Sequence, residues 1–376
     1  MKTLYPMSIS TPLSVALLAS FFLFSCSRDN TTGPAGSGSD TPSNGDTTST
    51  AGNPTGTGTK PDFSLLGYAT QNGGTNGGEG GQTVTANTLA EFTTYATSDA
   101  SLIIQVPGTI SGGTEGASIQ VNSNKTITGI GDKGFLQGVG LTINGKKNII
   151  IRNIRFTMSN VTKTYINSEN RPQVVANDGD CITIQGSSSK PTTNIWIDHC
   201  EFFNKDPHTQ TNQDLYDGLV DAKGVSDYIT ISWCYFHDHH KCHLIGSSDS
   251  DNYDRKITFH HNYYYNLKER LPSYRFGSGH VFNNYYNAAI SSAVNSRMGA
   301  CVKVERNSFE NSNDPILSKN SDQPGNWMTI DNLFSNCTGN QPVNTSCTLT
   351  IPYKYTADNQ NKVKATVTTW AGVGKL

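Results

Sequence analysis

The chain has 376 residues, enough for one large domain or two modest ones. Lys and Arg total 28 against 30 Asp and Glu, so no global basic field points to nucleic acid, and an anionic ligand has to be met by a local cluster. Only 15% of residues are charged while Gly, Asn, Ser and Thr abound, a balance that suits a turn-rich β protein handling polar ligands.

Residues 1–26 read as a targeting segment. Lys2 supplies a thin positive flank, and Leu13 to Phe24 form an apolar stretch shorter than the roughly 20 residues that span a bilayer. It ends Leu23-Phe24-Ser25-Cys26, similar to the lipobox of bacterial lipoprotein signals, in which the Cys is lipidated; Phe24 stands where a small residue is usual. An ordinary signal peptide with a chance Cys is the alternative. Either way the protein is expected to leave the cytoplasm, as a secreted protein or a lipoprotein of the outer membrane or cell surface. Cys26 would then be its only membrane contact. Residues 27–62, almost all Gly, Ser, Thr, Asp, Asn and Pro, cannot bury enough apolar surface to offset chain entropy and are expected to be a disordered tether. Residues 63–376 read as one elongated domain, expected to be a monomer.

Thr88-Leu89-Ala90-Glu91 is a capping-box pattern opening a short helix with Leu89, Phe92 and Ala96 on one face. From Asn148 onward, short β-rich runs recur, each passing from alternating apolar residues into an Asn-, His- or Cys-aromatic corner. Taking the corner as a register mark gives 153, 200, 234, 262, 284, 307 and 332, with gaps of 47, 34, 28, 22, 23 and 25. A minimum near 22 with variable excess predicts a coiled solenoid whose loops bulge from some turns. Stacked corners ~4.8 Å apart would let Asn262, Asn284, Asn307 and Asn332 bond up the stack, with Cys200 and Cys234 continuing the column. Val363, Val367 and Trp370 recur at helical spacing and are expected to cover the far end. A β-sandwich or propeller is the competing architecture. Cys337 and Cys347, ten apart in a polar loop, are the candidate disulfide, while cysteines in apolar runs are expected to be buried thiols.

The largest gaps place the long loops on the first coils, where function usually sits. Asp178-Gly179-Asp180 sets two carboxylates on one face of an extended segment, and Asp217 and Asp221 are also an even number apart. These four could supply the oxygen ligands that calcium favours, although the order of an EF-hand loop is absent; ordinary turn aspartates are the equal alternative. Arg270 and Arg275 flank Pro272, and Lys241 lies one coil earlier. Arg pairs with carboxylates bidentately and Lys adds a point charge, so an anionic ligand rich in carboxylates fits; surface ion pairs are the bland alternative. His237, His239, His240 and His243 complete no zinc pattern, and the Gly-rich run at Gly73 to Gly78 lacks a P-loop ending.

Several of these motifs in this order resemble the pectate lyases, the first family of polysaccharide lyases. The likeness rests on Asp178-Gly179-Asp180, Trp196-Ile197-Asp198-His199, Asp217 through Asp221-Ala222-Lys223-Gly224, and Arg270-x-Pro272-x-x-Arg275. It implies an all-β, right-handed single-stranded parallel β-helix with short capping helices, acting on de-esterified pectin (polygalacturonate) by calcium-assisted β-elimination. By the same likeness Asp180, Asp217 and Asp221 would hold Ca2+ directly and Asp178 an additional ion arriving with substrate. Arg270 would be the catalytic base, Lys241 and Arg275 substrate-carboxylate binders, and Arg297 and Lys223 further substrate contacts. Trp196 to His199 would support the site without taking part. A pectin-degrading hydrolase, a calcium-independent pectin lyase and a non-catalytic pectin-binding surface protein are the competing functions.

Overall fold

The structure, a computed structural model, describes residues 59–376. Cys26, the targeting segment and all but the last residues of the tether lie outside the described residues. Among the described residues no helix is long and apolar enough to cross a membrane.

The chain winds into a right-handed parallel β-helix of three sheets, with ten, nine and eight strands. One coil shows the plan. Ser226–Ser232 lies in the ten-stranded sheet, Tyr235–Lys241 in the nine-stranded one and Leu244–Ile245 in the eight-stranded one. The next coil then opens at Lys256–His260, paired in parallel with the first strand. Period-two alternation sends every second side chain inward, so Ile195, Ile229 and Ile257 stack in register inside the helix. A second interior column is aromatic: Phe156, Phe202, Phe236, Tyr264, Tyr286, Phe309 and Phe334 stack ring on ring at 4.5–5.3 Å. Offset stacking of this kind adds about 0.5–1.5 kcal/mol per pair beyond the area it buries.

Between the ten- and nine-stranded sheets each coil turns on a residue with positive φ, namely Asn153, His199, Trp233, His261, Asn283, Arg306 and Asp331, at 46–58°. The residue after it joins the ladder. Asn262 donates to Asn284, Asn284 to Asn307 and Asn307 to Asn332, each at 3.0 Å. Below them the Cys234 amide donates to Asn262 and the Cys200 amide to the Cys234 sulfur. The mark at 153 is off by one. Arg155 pairs with Glu201, so the partner of Cys200 is Ile154 and the first gap is 46. Asn153 takes the left-handed position instead, its amide bonding the carbonyls of Gly129 and Gly131. An Asn suits both positions, so the letter alone does not choose between them.

Helix α1 (Leu89–Thr97) carries the expected capping box and buries Phe92 and Ala96 against the first coils. Helix α2 (Gln360–Trp370) does not cross the far end. Val363 and Val367 pack on Tyr285 against the outer face of the nine-stranded sheet, and the chain continues back to bond Trp233 and Asn153. The disulfide also differs from expectation: Cys347 bonds Cys301, and Cys337 is a half-buried free thiol. The loop before Cys347 folds back along Trp327, whose neighbouring strand begins at Cys301. Cys337 instead follows the last strand of another sheet. Cys181, Cys200, Cys234 and Cys242 are buried thiols, as expected.

The Gly-rich run near the start lies flat across the outer face of the ten-stranded sheet. The amides of Tyr68, Ala69 and Gly78 donate to the hydroxyls of Thr258, Thr230 and Thr126. At Gly77, with φ +61°, a Cβ would stand 2.2 Å from the Thr126 hydroxyl, so only glycine permits this approach.

Candidate active site

The loops from the nine- to the eight-stranded sheet build one side of the molecule. Residues 158–181 carry an antiparallel hairpin (Thr164–Ile166 with Pro172–Val174) and a tight turn at Ala176–Gly179, and residues 204–219 form the next loop up. Asp180 and Asp217 lie near the ends of the first and second of these loops. Asp221 sits on the strand Val220–Gly224, opposite Thr183. One carboxylate oxygen from each of Asp180, Asp217 and Asp221 lies within 4.8 Å of the other two. Gly218 makes room for this, since a Cβ there would stand 2.1 Å from Asp221 Oδ1.

Asp180 accepts from the Gly218 amide (2.6 Å) and the Thr183 hydroxyl (2.7 Å). Asp221 Oδ1 accepts from the Leu244 amide, but its buried Oδ2 has no hydrogen-bond partner. The Lys223 ammonium stands 3.2 Å from Asp180 and 3.3 Å from that Oδ2. Burial, reinforced at Asp180 by the Asp221 charge, raises the pKa of both carboxyls, with Lys223 working against the rise. Burial acts upward on Asp217 too, but Lys241 and then Arg270 outweigh it and its pKa falls. Three clustered carboxylates, one with an orphaned oxygen, are a donor set of the hard, oxygen-only kind that suits calcium. Asp178 is not drawn into this trio; it is exposed on the tight turn, with the Tyr165 hydroxyl 3.4 Å away. Lys223, expected as a substrate contact, is placed inside the acidic cluster.

The basic side faces Asp217. Lys241, the last residue of its strand, puts its ammonium 2.6 Å from Asp214 and 3.2 Å from Asp217. Arg270 follows the strand Tyr263–Glu269 in the left-handed region, at φ +67°, two residues before Pro272. Its guanidinium lies 3.9 Å from Asp217 and 3.8 Å from Glu269. Arg275 and Arg297 stand in register on adjacent strands of the eight-stranded sheet, and Asp249 pairs with Arg275 at 2.6 Å. Burial, and then the neighbouring Arg275, lowers the Arg297 pKa to about 10.

Asp217 is thus the joint of the site, belonging to the carboxylate trio and touching both Lys241 and Arg270. Sequence reasoning missed Asp214 and Asp249, the counter-ions of two predicted binders. Neither stands in a motif, and only coil stacking brings them to their partners.

A family model described as pectate lyase matches residues 57–376. The chain belongs to the pectate lyase family. It is 46% identical over 321 residues to a pectate trisaccharide-lyase of Bacillus licheniformis, covering 84% of this chain and 88% of the relative. It is 36% identical to pectate lyase A of Aspergillus niger over 82% and 87% of the two chains. Among solved structures it superposes on a pectate lyase from Bacillus sp. N165 in complex with trigalacturonate with a TM-score of 0.71. That match has 35% identity and covers 83% of this chain and 99% of the other.

Proposed function

We propose that this pectate lyase cleaves polygalacturonate by β-elimination, with Arg270 as the base and Asp180, Asp217 and Asp221 as calcium ligands. The observation that carries this is the meeting of the carboxylate trio with Lys241 and Arg270 at Asp217. In a galacturonate the C5 proton lies α to a carboxylate and can be removed if the charge that develops there is stabilised. Calcium at the trio would supply positive charge for that carboxylate and neutralise the aspartates. Lys241 and Arg275 hold substrate carboxylates, with Arg297 beside them. Arg270 takes the C5 proton, the C4 oxygen departs and a 4,5-unsaturated end remains, with no attack by water.

Arginine is ordinarily charged throughout the accessible pH range. In the structure Asp217 and Glu269 stand 3.9 and 3.8 Å from the Arg270 guanidinium. A base at this position needs neighbours that disfavour its charged form, which calcium at the trio together with Lys241 and Arg275 would supply, so activity is expected to rise into the alkaline range. Asp178 is the proposed contact for an additional ion arriving with substrate.

Ultraviolet absorbance of the conjugated product on polygalacturonate, with and without chelator, tests the reading. A rise abolished by chelator and restored by calcium supports it. New reducing ends without absorbance would mean a hydrolase, and neither signal would mean a binding protein. We further propose that the enzyme is secreted and held at the cell envelope through lipidated Cys26; Cys26→Ala should release it from the membrane fraction.

A further inference from the structure

Arg275 and Arg297 sit side by side on neighbouring strands, both largely buried, so two like charges are held about one strand spacing apart. Such a pair splays unless something between the two compensates the repulsion. Asp249, from the loop 246–255 that leads back to the ten-stranded sheet, is that group. Its Oδ1 accepts from Arg275 Nε at 2.6 Å and from the Ser321 hydroxyl at 2.7 Å, and lies 3.9 Å from Arg297 Nη2. Its Oδ2 accepts from the Asp322 amide at 2.8 Å. Ser321 in turn accepts from Arg297 Nε at 2.7 Å, so one carboxylate and one hydroxyl tie both guanidinium groups together. Arg275 Nη1 donates to the Gly246 carbonyl at 3.0 Å, and a Cβ at residue 246 would crowd the Arg275 side chain at 2.9 Å. Among the described residues Nη2 of Arg275 makes no hydrogen bond. Burial acts upward on the Asp249 carboxyl, but the Arg275 and Ser321 bonds and the Asp322 amide outweigh it. They hold the group well below the usual carboxylate range, so it stays ionised.

We propose that Asp249 is a positioning residue for substrate binding: it anchors the Nε edge of Arg275 and leaves the Nη2 edge presented to a galacturonate carboxylate. Arg297 is fixed by the same bracket. Nothing in the arrangement brings Asp249 to the C5–C4 bond, so it acts on binding and not on the chemical step. The inference rests on Arg275 being a substrate-carboxylate binder.

The test is a double-mutant cycle on the whole protein, with polygalacturonate and saturating calcium. Asp249→Asn keeps the shape and removes the charge; it is expected to raise KM about tenfold with kcat within twofold. Asp249→Glu should recover part of the loss. Arg275→Lys should raise KM by a similar factor, and the double variant should be little worse than either single one, since both remove the same interaction. Unfolding measured in parallel guards against a purely structural effect: a lowered melting temperature with KM unchanged overturns the positioning role. So do additive effects of the two substitutions, or a KM that falls in Asp249→Asn, which would make Asp249 a competitor for the arginine. If Arg275→Lys alone leaves KM unchanged, the binding role of Arg275 fails, and the inference fails with it.

Discussion

Every coil from Lys147 to the end crosses from the ten- to the nine-stranded sheet through two residues, whereas the crossing from the nine- to the eight-stranded sheet takes 24, 16, 2, 3, 4 and 5 in successive coils. The first corner has one job. Its left-handed residue turns the chain and the following residue bonds its equivalents above and below, so an inserted residue would break the ladder for two neighbours at once. In the first coils the second corner keeps no such ladder and can lengthen. Asp178, Asp180, Asp214, Asp217, Asp221, Lys241 and Arg270 stand on it or at its edges, with Lys223, Arg275 and Arg297 further along the strands that follow and Asp249 on the loop beyond them. A solenoid thus separates the corner that holds the stack together from the corner that carries chemistry.

Substitutions at the two corners should therefore give opposite signatures. The largest effect is expected at Arg270. Arg270→Lys should lower kcat about 10³-fold, in the range that loss of a positioned base costs, with little change in melting temperature. Stopped absorbance assays beside thermal unfolding would show it; a matching loss of stability would erase the division. Next is Asp221→Asn, which neutralises a buried member of the carboxylate trio. Calcium affinity by calorimetry should fall by at least the roughly 10–100-fold that losing a supporting partner costs at metal sites.

At the other corner, Asn284→Ala strips the donors and acceptors that serve Asn262, Phe259 and Asn307, all buried. It should cost about 3 kcal/mol in chemical unfolding while KM stays put, because leaving such groups unpaired costs about 1–3 kcal/mol each before relaxation. Thr88→Ala, at the cap of α1, should cost about 1 kcal/mol and leave kinetics untouched.

The acidic trio adds a pH signature of known sign. Asp180 and Asp221 have raised pKa values in the metal-free fold, so their ionised forms are the costly ones. Their contribution is favourable below the ordinary carboxylate range and is lost as pH rises through the raised values. Chelated protein should therefore lose melting temperature between mildly acidic and alkaline pH. Added calcium should cancel that loss, and its binding should release protons at the acidic end. A flat profile in chelator would mean that Lys223 already compensates both carboxylates.

Much of this architecture is legible in the chain itself. Alternating apolar runs with a minimum repeat near 22 specify stacked coils, since only stacking buries every second side chain. The ladder is legible because identical residues in identical coils must meet. Asp180, Asp217 and Asp221 are legible through the family's motifs; even spacing alone equally selects Asp178, which the tight turn at Ala176–Gly179 keeps out of the trio. What stays hidden depends on which residues from different coils come together. Cys301 meets Cys347 only because a loop doubles back along Trp327. Helix α2 finds Tyr285 and Tyr263 on a lateral face, and its sequence says which side is apolar but not what it will cover. Asp214 and Asp249 reach Lys241 and Arg275 across 27 and 26 residues, distances at which spacing holds no information. The sequence determined the periodic part of the molecule, where one rule repeats, because burial and backbone pairing act alike in every coil. Only the tertiary structure decided the counter-ions, the disulfide and the place of the last helix, because each depends on loop lengths that follow no period.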